Sequence, residues 1–230
     1  MKIHGFQKMT MLDYPGRVAC TLFTAGCNFR CPFCHNALLV TDIDAAATYD
    51  EEEIFAYLEK RRGVLDGVAI TGGEPLLNRD IPALLGRIKA LGYAIKLDTN
   101  GSYPALLKSL VEDRLVDYVA MDIKNSKEKY ALTAGVPDLD LRPIEESVAF
   151  LLSGKVDFEF RTTVVKELHD EKDIAAIADW IEGAPRYFLQ NFQPSEHMIG
   201  ANLHAHEPEM LEKLRAIAAK KIPQTALRGI

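Results

Sequence analysis

Arg17-Val18-Ala19-Cys20-Thr21-Leu22-Phe23-Thr24 runs through Ala25-Gly26 into Cys27-Asn28-Phe29-Arg30-Cys31-Pro32-Phe33-Cys34-His35-Asn36. The first half follows the turn signal Asp13-Tyr14-Pro15-Gly16 and is apolar and β-branched enough to be a strand. The second half sets three cysteines in a Cys-x3-Cys-x2-Cys pattern. Three thiolates on one short loop can converge on a single metal centre, but they leave its coordination unfinished. Iron–sulfur clusters ordinarily take four thiolates, and structural zinc takes four ligands. Three thiolates therefore point to a cluster with one open metal position, as a catalytic site requires. The remaining cysteine, Cys20, lies in the apolar run and reads as a small buried side chain.

The strand-then-loop unit recurs down the chain. Gly67–Thr71 ends in Gly72-Gly73-Glu74-Pro75, and Tyr93–Leu97 ends in Asp98-Thr99-Asn100-Gly101. Tyr118–Lys124 carries Asp122 and Lys124 at its end, Val156–Val164 carries Arg161-Thr162, and Arg186–Phe192 carries Gln190. Helical spacing of apolar residues fills the intervals: Tyr49–Arg62, a segment capped by Asp80, one through Leu106, Leu107 and Leu110, Pro143–Leu152, one opened by Asp170 or Asp173, and Pro208–Lys220. Six strands alternating with helices predict a parallel α/β sheet. Right-handed crossovers then bring every strand's C-terminal end to one edge, where such folds bind ligands. The cysteine loop and the polar strand ends all fall on that edge, so one site is expected.

The bulk composition narrows the class. A chain of 230 residues, 48% hydrophobic and 26% charged, suits one globular domain over residues 1–230. A formal charge of −6 gives no broad basic surface for nucleic acid. No apolar run reaches membrane-spanning length, and Met1-Lys2-Ile3-His4-Gly5 lacks a signal-peptide core. Clustered cysteines in such a chain read as metal ligands in a reducing cytoplasm rather than as disulfides.

The cysteine pattern after the first strand, with Gly-Gly-Glu-Pro after the second, is similar to the radical S-adenosylmethionine superfamily. Within it, Cys34-His35-Asn36, Leu97-Asp98-Thr99-Asn100-Gly101 and Met121-Asp122-Ile123-Lys124 resemble the glycyl-radical-enzyme activases. The nearest of these is the type that serves anaerobic ribonucleoside-triphosphate reductase. The resemblance runs from Gly5 to about Pro194 and implies a partial (β/α)6 barrel, α/β in class, with parallel strands and helices outside. It implies a [4Fe–4S] cluster on Cys27, Cys31 and Cys34, with S-adenosylmethionine completing the open iron. Phe33 would lie against the adenine, and Gly72, Gly73 and Glu74 beside the cofactor's amino group. Asp98, Thr99 and Asp122 would hold a monovalent cation by the cofactor's carboxylate, because two close carboxylates need a cation or proton between them. Lys124 would counter that charge from the same strand face. Arg161, with Thr162, and Gln190 would complete the pocket. The implied partners are a glycyl-radical enzyme's large subunit, that of anaerobic ribonucleotide reductase first, and a flavodoxin- or ferredoxin-type electron donor.

Competing readings stand beside these. His35 could make a fourth zinc ligand, although adjacent residues seldom reach one ion. Gly72-Gly73-Glu74 alone is a plain strand-to-helix turn, with Glu74 orienting the loop, and Arg161 could belong to a salt-bridged outer face with Glu159 and Asp157. Phe33 could simply pack the loop. The enzyme could instead activate a pyruvate formate-lyase type partner, or act on a small molecule such as a deazaguanine precursor. A metal-stabilised binding module is the non-enzymatic alternative. With Cys20 the one cysteine outside the motif, no second cluster of the eight-cysteine ferredoxin kind can be built. His197 comes only after a proline and receives no role.

Overall fold

The computed structural model describes residues 1–195 and 197–229. Its strands form one sheet in chain order. β1 (Gly5–Thr10) runs antiparallel to β2 (Ala19–Thr24). From β2 onward every pairing is parallel: β3 (Gly67–Gly72), β4 (Ala94–Thr99), β5 (Tyr118–Asp122), β6 (Asp157–Val164), β7 (Tyr187–Asn191) and β8 (Thr225–Arg228). β1 and β8 are the two ends of the sheet and do not pair with each other, so the barrel is open. The six expected strands are β2 to β7, each placed within two residues of its expected ends.

The helices are α1 (Leu38–Thr41), α2 (Glu51–Lys60), α3 (Ile81–Ala90), α4 (Pro104–Glu112), α5 (Tyr130–Ala134), α6 (Arg142–Leu152), α7 (Glu171–Trp180) and α8 (Pro208–Ala218). Asp50 caps α2 by accepting from the Glu52 amide, and Asp170 with Asp173 forms a capping box at α7. Asp80 makes no side-chain cap, contrary to expectation; Pro82 in the first turn of α3 does the starting instead.

Strand alternation sorts the sheet into two chemically different faces. Ile95 and Leu97 of β4, Val119 and Met121 of β5, and Phe158 and Phe160 of β6 join Ile88, Leu110, Val148 and Ile177 in one continuous core under the helices. Burying each such side chain is worth about 1.5–3 kcal/mol. The other face carries Lys96, Asp98, Asp122, Glu159 and Arg161. A second small cluster of Tyr14, Ala19 and Tyr118 packs at the N-terminal ends of the strands, with the two rings 5.9 Å apart. The C-terminal ends are left for the loops that carry the polar residues.

Candidate active site

The cysteine loop is held in place from several directions. The Gly26 amide donates to Leu39 O at 2.8 Å, and the Arg30 amide donates to Ala134 O at 2.8 Å. The Gly200 amide reaches Pro32 O at 2.8 Å, and Asn36 Nδ2 reaches Gly72 O at 2.9 Å. The Gly72-Gly73-Glu74 turn docks directly on the loop's entry, through Gly73 N to Thr24 O at 2.9 Å and Glu74 N to Gly26 O at 2.8 Å. Glycine is required for that approach. A Cβ on Gly73 would sit 2.0 Å from Gly26 O, and Gly72 has φ +119° with Thr24 O 2.2 Å from its Cβ position.

A cavity of about 410 Å³ opens beside the loop, lined by side chains from β1 through β7. One cavity touching seven strands means the sheet curves around it. Cys27, Cys31 and Cys34 line it together with Asp98, Asp122, Lys124 and Arg161. A family model described as the Radical SAM superfamily matches residues 21–181, which span the whole of this constellation. The chain belongs to the radical SAM superfamily.

Its relatives narrow the type. A Methanocaldococcus jannaschii protein provisionally named a glycyl-radical enzyme activating enzyme is 31% identical, over 99% of this chain and 96% of its own length. A 7-carboxy-7-deazaguanine synthase of Koribacter versatilis is 28% identical over 72% of this chain and 70% of its own. A crystallised domain of the pyruvate-formate lyase-activating enzyme of Bacteroides vulgatus superposes with a TM-score of 0.58 at 19% identity, over 71% of this chain and 99% of that domain. That likeness is one of fold. The full-length relative makes this radical SAM chain an enzyme of the glycyl-radical activating type.

Radical SAM enzymes work with a [4Fe–4S] cluster and S-adenosylmethionine, and the loop chemistry fits a cluster. Burial pushes the pKa of all three thiols up, that of Cys31 to about 12, and a bound metal centre would favour the thiolates instead. Cys27 Sγ accepts from the Phe29 amide at 3.3 Å and faces Asn100 Nδ2 at 3.9 Å, donors that would support a metal-bound sulfur there. Among the described residues no three His, Cys, Asp or Glu side chains gather closely enough for one ion. A cluster, whose thiolates bind different irons, does not need that convergence.

In the same cavity, charges alternate in sign across β4, β5 and β6. Lys96 Nζ pairs with Asp98 Oδ1, and Arg161 Nη1 meets Asp98 Oδ2 at 3.2 Å. Arg161 Nη2 meets Asp122 Oδ1 at 2.9 Å, and Lys124 Nζ meets Asp122 Oδ2 at 2.9 Å. Register explains the central pair, since Asp122 and Arg161 are direct partners on neighbouring strands. Burial alone would raise the pKa of Asp122, but Arg161 and Lys124 outweigh it and hold it at about 2. Asp98 is lowered for the same reason, with burial opposed by Arg161 and Lys96.

Three sequence expectations need correction. Glu74 does not line the cavity: its fully buried carboxylate accepts from the Leu76 and Asn100 amides and from Thr99 Oγ1, at 3.1, 2.7 and 2.8 Å. It braces the turn and does not face the ligand space. The space between Asp98 and Asp122 is filled by the Arg161 guanidinium, which removes the electrostatic reason for a cation there. Thr162 points to the helix side, donating to Ile123 O at 2.8 Å and accepting from Tyr187 OH at 2.8 Å. Arg161 lines the cavity as expected, and with Glu159 fully buried on the same strand face the competing reading of an exposed outer face falls away.

Of the other expected residues, Phe33, Gly72, Gly73, Thr99 and Gln190 all line the cavity. Phe33 is buried, edge-on to His169 at 6.4 Å. Gln193 is exposed and donates to Gly229 O at 3.1 Å. Residues the sequence reading missed are Gln7 and Asp13, Thr21, Thr163, Asn36 and Asn100. Asn36 and Asn100 were within quoted motifs and could have been named for their amides. Gln7 belongs to a strand without readable alternation and had no such signal.

Proposed function

We propose that this activase serves an anaerobic ribonucleoside-triphosphate reductase, removing one α-hydrogen from a glycine of the large subunit and leaving a glycyl radical there. It acts in a reducing cytoplasm as a single domain, with its electron delivered by a flavodoxin- or ferredoxin-type protein. The observation that carries the reading is the sharing of one cavity by the three-cysteine loop and the charged ladder. When bound, the cluster and S-adenosylmethionine would supply one-electron reductive cleavage of the sulfonium, giving methionine and, once the glycine hydrogen is taken up, 5′-deoxyadenosine. Cys27, Cys31 and Cys34 would hold the cluster. Phe33, Gly72, Gly73 and Gln190 would shape the walls of the cofactor's place, and Lys124 and Arg161 present positive charge to its carboxylate. Preference for the reductase rests on Cys34-His35-Asn36, Leu97-Asp98-Thr99-Asn100-Gly101 and Met121-Asp122-Ile123-Lys124.

Anaerobic reconstitution with iron and sulfide, reduction, and addition of S-adenosylmethionine with the reductase large subunit tests it. A doublet glycyl-radical EPR signal with matching 5′-deoxyadenosine is expected, and Cys31→Ala abolishes both. A radical formed on a pyruvate formate-lyase type partner but not on the reductase reassigns the partner. The likeness to 7-carboxy-7-deazaguanine synthase favours a small-molecule reading as the second choice. Deoxyadenosine formed with a deazaguanine precursor, and no radical on any glycyl-radical protein, establishes that one instead.

A further inference from the structure

The implied monovalent cation does not fit the residues that would hold it. All four oxygens of Asp98 and Asp122 already have a cationic partner: Lys96 and Arg161 on one carboxylate, Arg161 and Lys124 on the other. The Thr99 hydroxyl is engaged too, donating to Glu74 Oε1 at 2.8 Å and accepting from the Gly101 amide at 3.1 Å. Arg161 reaches the gap from β6 and also donates through Nε to Asp122 Oδ1 at 2.9 Å. We propose that Arg161 is the built-in counterion of this site, and that the protein binds S-adenosylmethionine with no requirement for sodium or potassium.

Charge counting supports the proposal. Lys96, Arg161 and Lys124 against Asp98 and Asp122, with Glu159 on the same face answered by Arg228, leave one surplus positive charge in a poorly solvated wall. Lys96 is 2% exposed and Arg161 12%. A surplus of one suits a carboxylate ligand. An added alkali ion would double the surplus and press against a guanidinium, with all four oxygens of Asp98 and Asp122 already paired to cations, which burial makes unfavourable. The guanidinium is also permanently charged and planar, so it can span two carboxylates in a way a spherical ion can only match by coordination.

The inference rests on the radical SAM site and not on which protein receives the radical. It is tested on the cluster-loaded protein by equilibrium dialysis against labelled S-adenosylmethionine. Ionic strength is held constant while sodium and potassium are replaced by tetramethylammonium. The dissociation constant of the natural protein should change by less than about twofold, with an unchanged cofactor-induced shift of the cluster's EPR signal. Arg161→Ala should weaken binding by about tenfold or more in tetramethylammonium, and potassium should restore part of the loss by occupying the vacated gap. Affinity of the natural protein that falls severalfold without alkali ion overturns the proposal, and this arm does not depend on the variant folding. An Arg161→Ala protein that folds, loads its cluster and binds the cofactor normally without alkali ion overturns it as well.

Discussion

Glu74 accepts three hydrogen bonds with none of its surface exposed, and burial pushes its pKa up to about 7 against the pull of those donors. A carboxyl raised from 4.5 in the folded state favours folding most below pH 4.5, and that contribution is lost as pH rises through about 7. Urea unfolding at pH 5 and pH 8 should therefore show the natural protein losing on the order of 2–4 kcal/mol from this one group as pH rises. Glu74→Gln should be less stable overall, because an amide nitrogen meets the Asn100 amide, and this component of the pH slope should vanish. An unchanged slope in the variant refutes the assignment. At this scale the sequence showed which residue types meet at the strand ends. It did not show where they point: Glu74 turns inward because Thr99 and Asn100, on the next strand's exit, supply its donors. Arg161 lies between two aspartates because of strand register, which no local pattern encodes.

The cysteine loop and the glycine turn behave as one element built from two distant pieces of chain. Gly73→Ala places a Cβ where Gly26 O already stands. The two pieces then cannot dock, and reconstituted iron should drop to a small fraction of the natural content while far-UV circular dichroism stays nearly unchanged. Gly86, inside α3, meets nothing within 4 Å of its Cβ position. Gly86→Ala should instead stabilise the protein by about 0.5–1 kcal/mol with cluster loading intact, since it gains helix propensity and restricts the unfolded chain. β2 to β7 were legible because each is a buried apolar run, or an apolar residue at every second position, bounded by turn residues. β1 was not: its outer residues Lys8 and Met9 are exposed, and an edge strand needs no alternation. β8 spans only Thr225–Arg228, too short for any period to register. α5 hid in a polar stretch because three of its five residues are buried by contact with distant segments.

Across the whole molecule, the concave face carries charge where an ordinary barrel core carries aliphatic side chains. Below the ladder, the fully buried Glu159 carboxylate accepts from Tyr118 OH at 2.8 Å and from Arg228 at 2.7 and 3.1 Å. Arg228 lies on the last strand and stacks 3.4 Å over the Phe188 ring, so this contact ties β8 across β7 to β6. Arg228→Ala leaves a buried carboxylate without its counterion and should cost about 3–5 kcal/mol in thermal or urea unfolding. Arg142→Ala, which removes the exposed pair with Asp140, should change stability by less than about 1 kcal/mol. Equal effects of the two substitutions would show that Glu159 finds another partner or water.

The loop's anchors have a consequence for the life of the protein. Gly26, Arg30, Pro32 and Asn36 are fastened by bonds to Leu39, Ala134, Gly200 and Gly72, none of which involves iron. Oxygen that strips the metal should therefore leave those fastenings in place. Damage is then a loss of contents from an intact vessel, and repair is refilling rather than refolding.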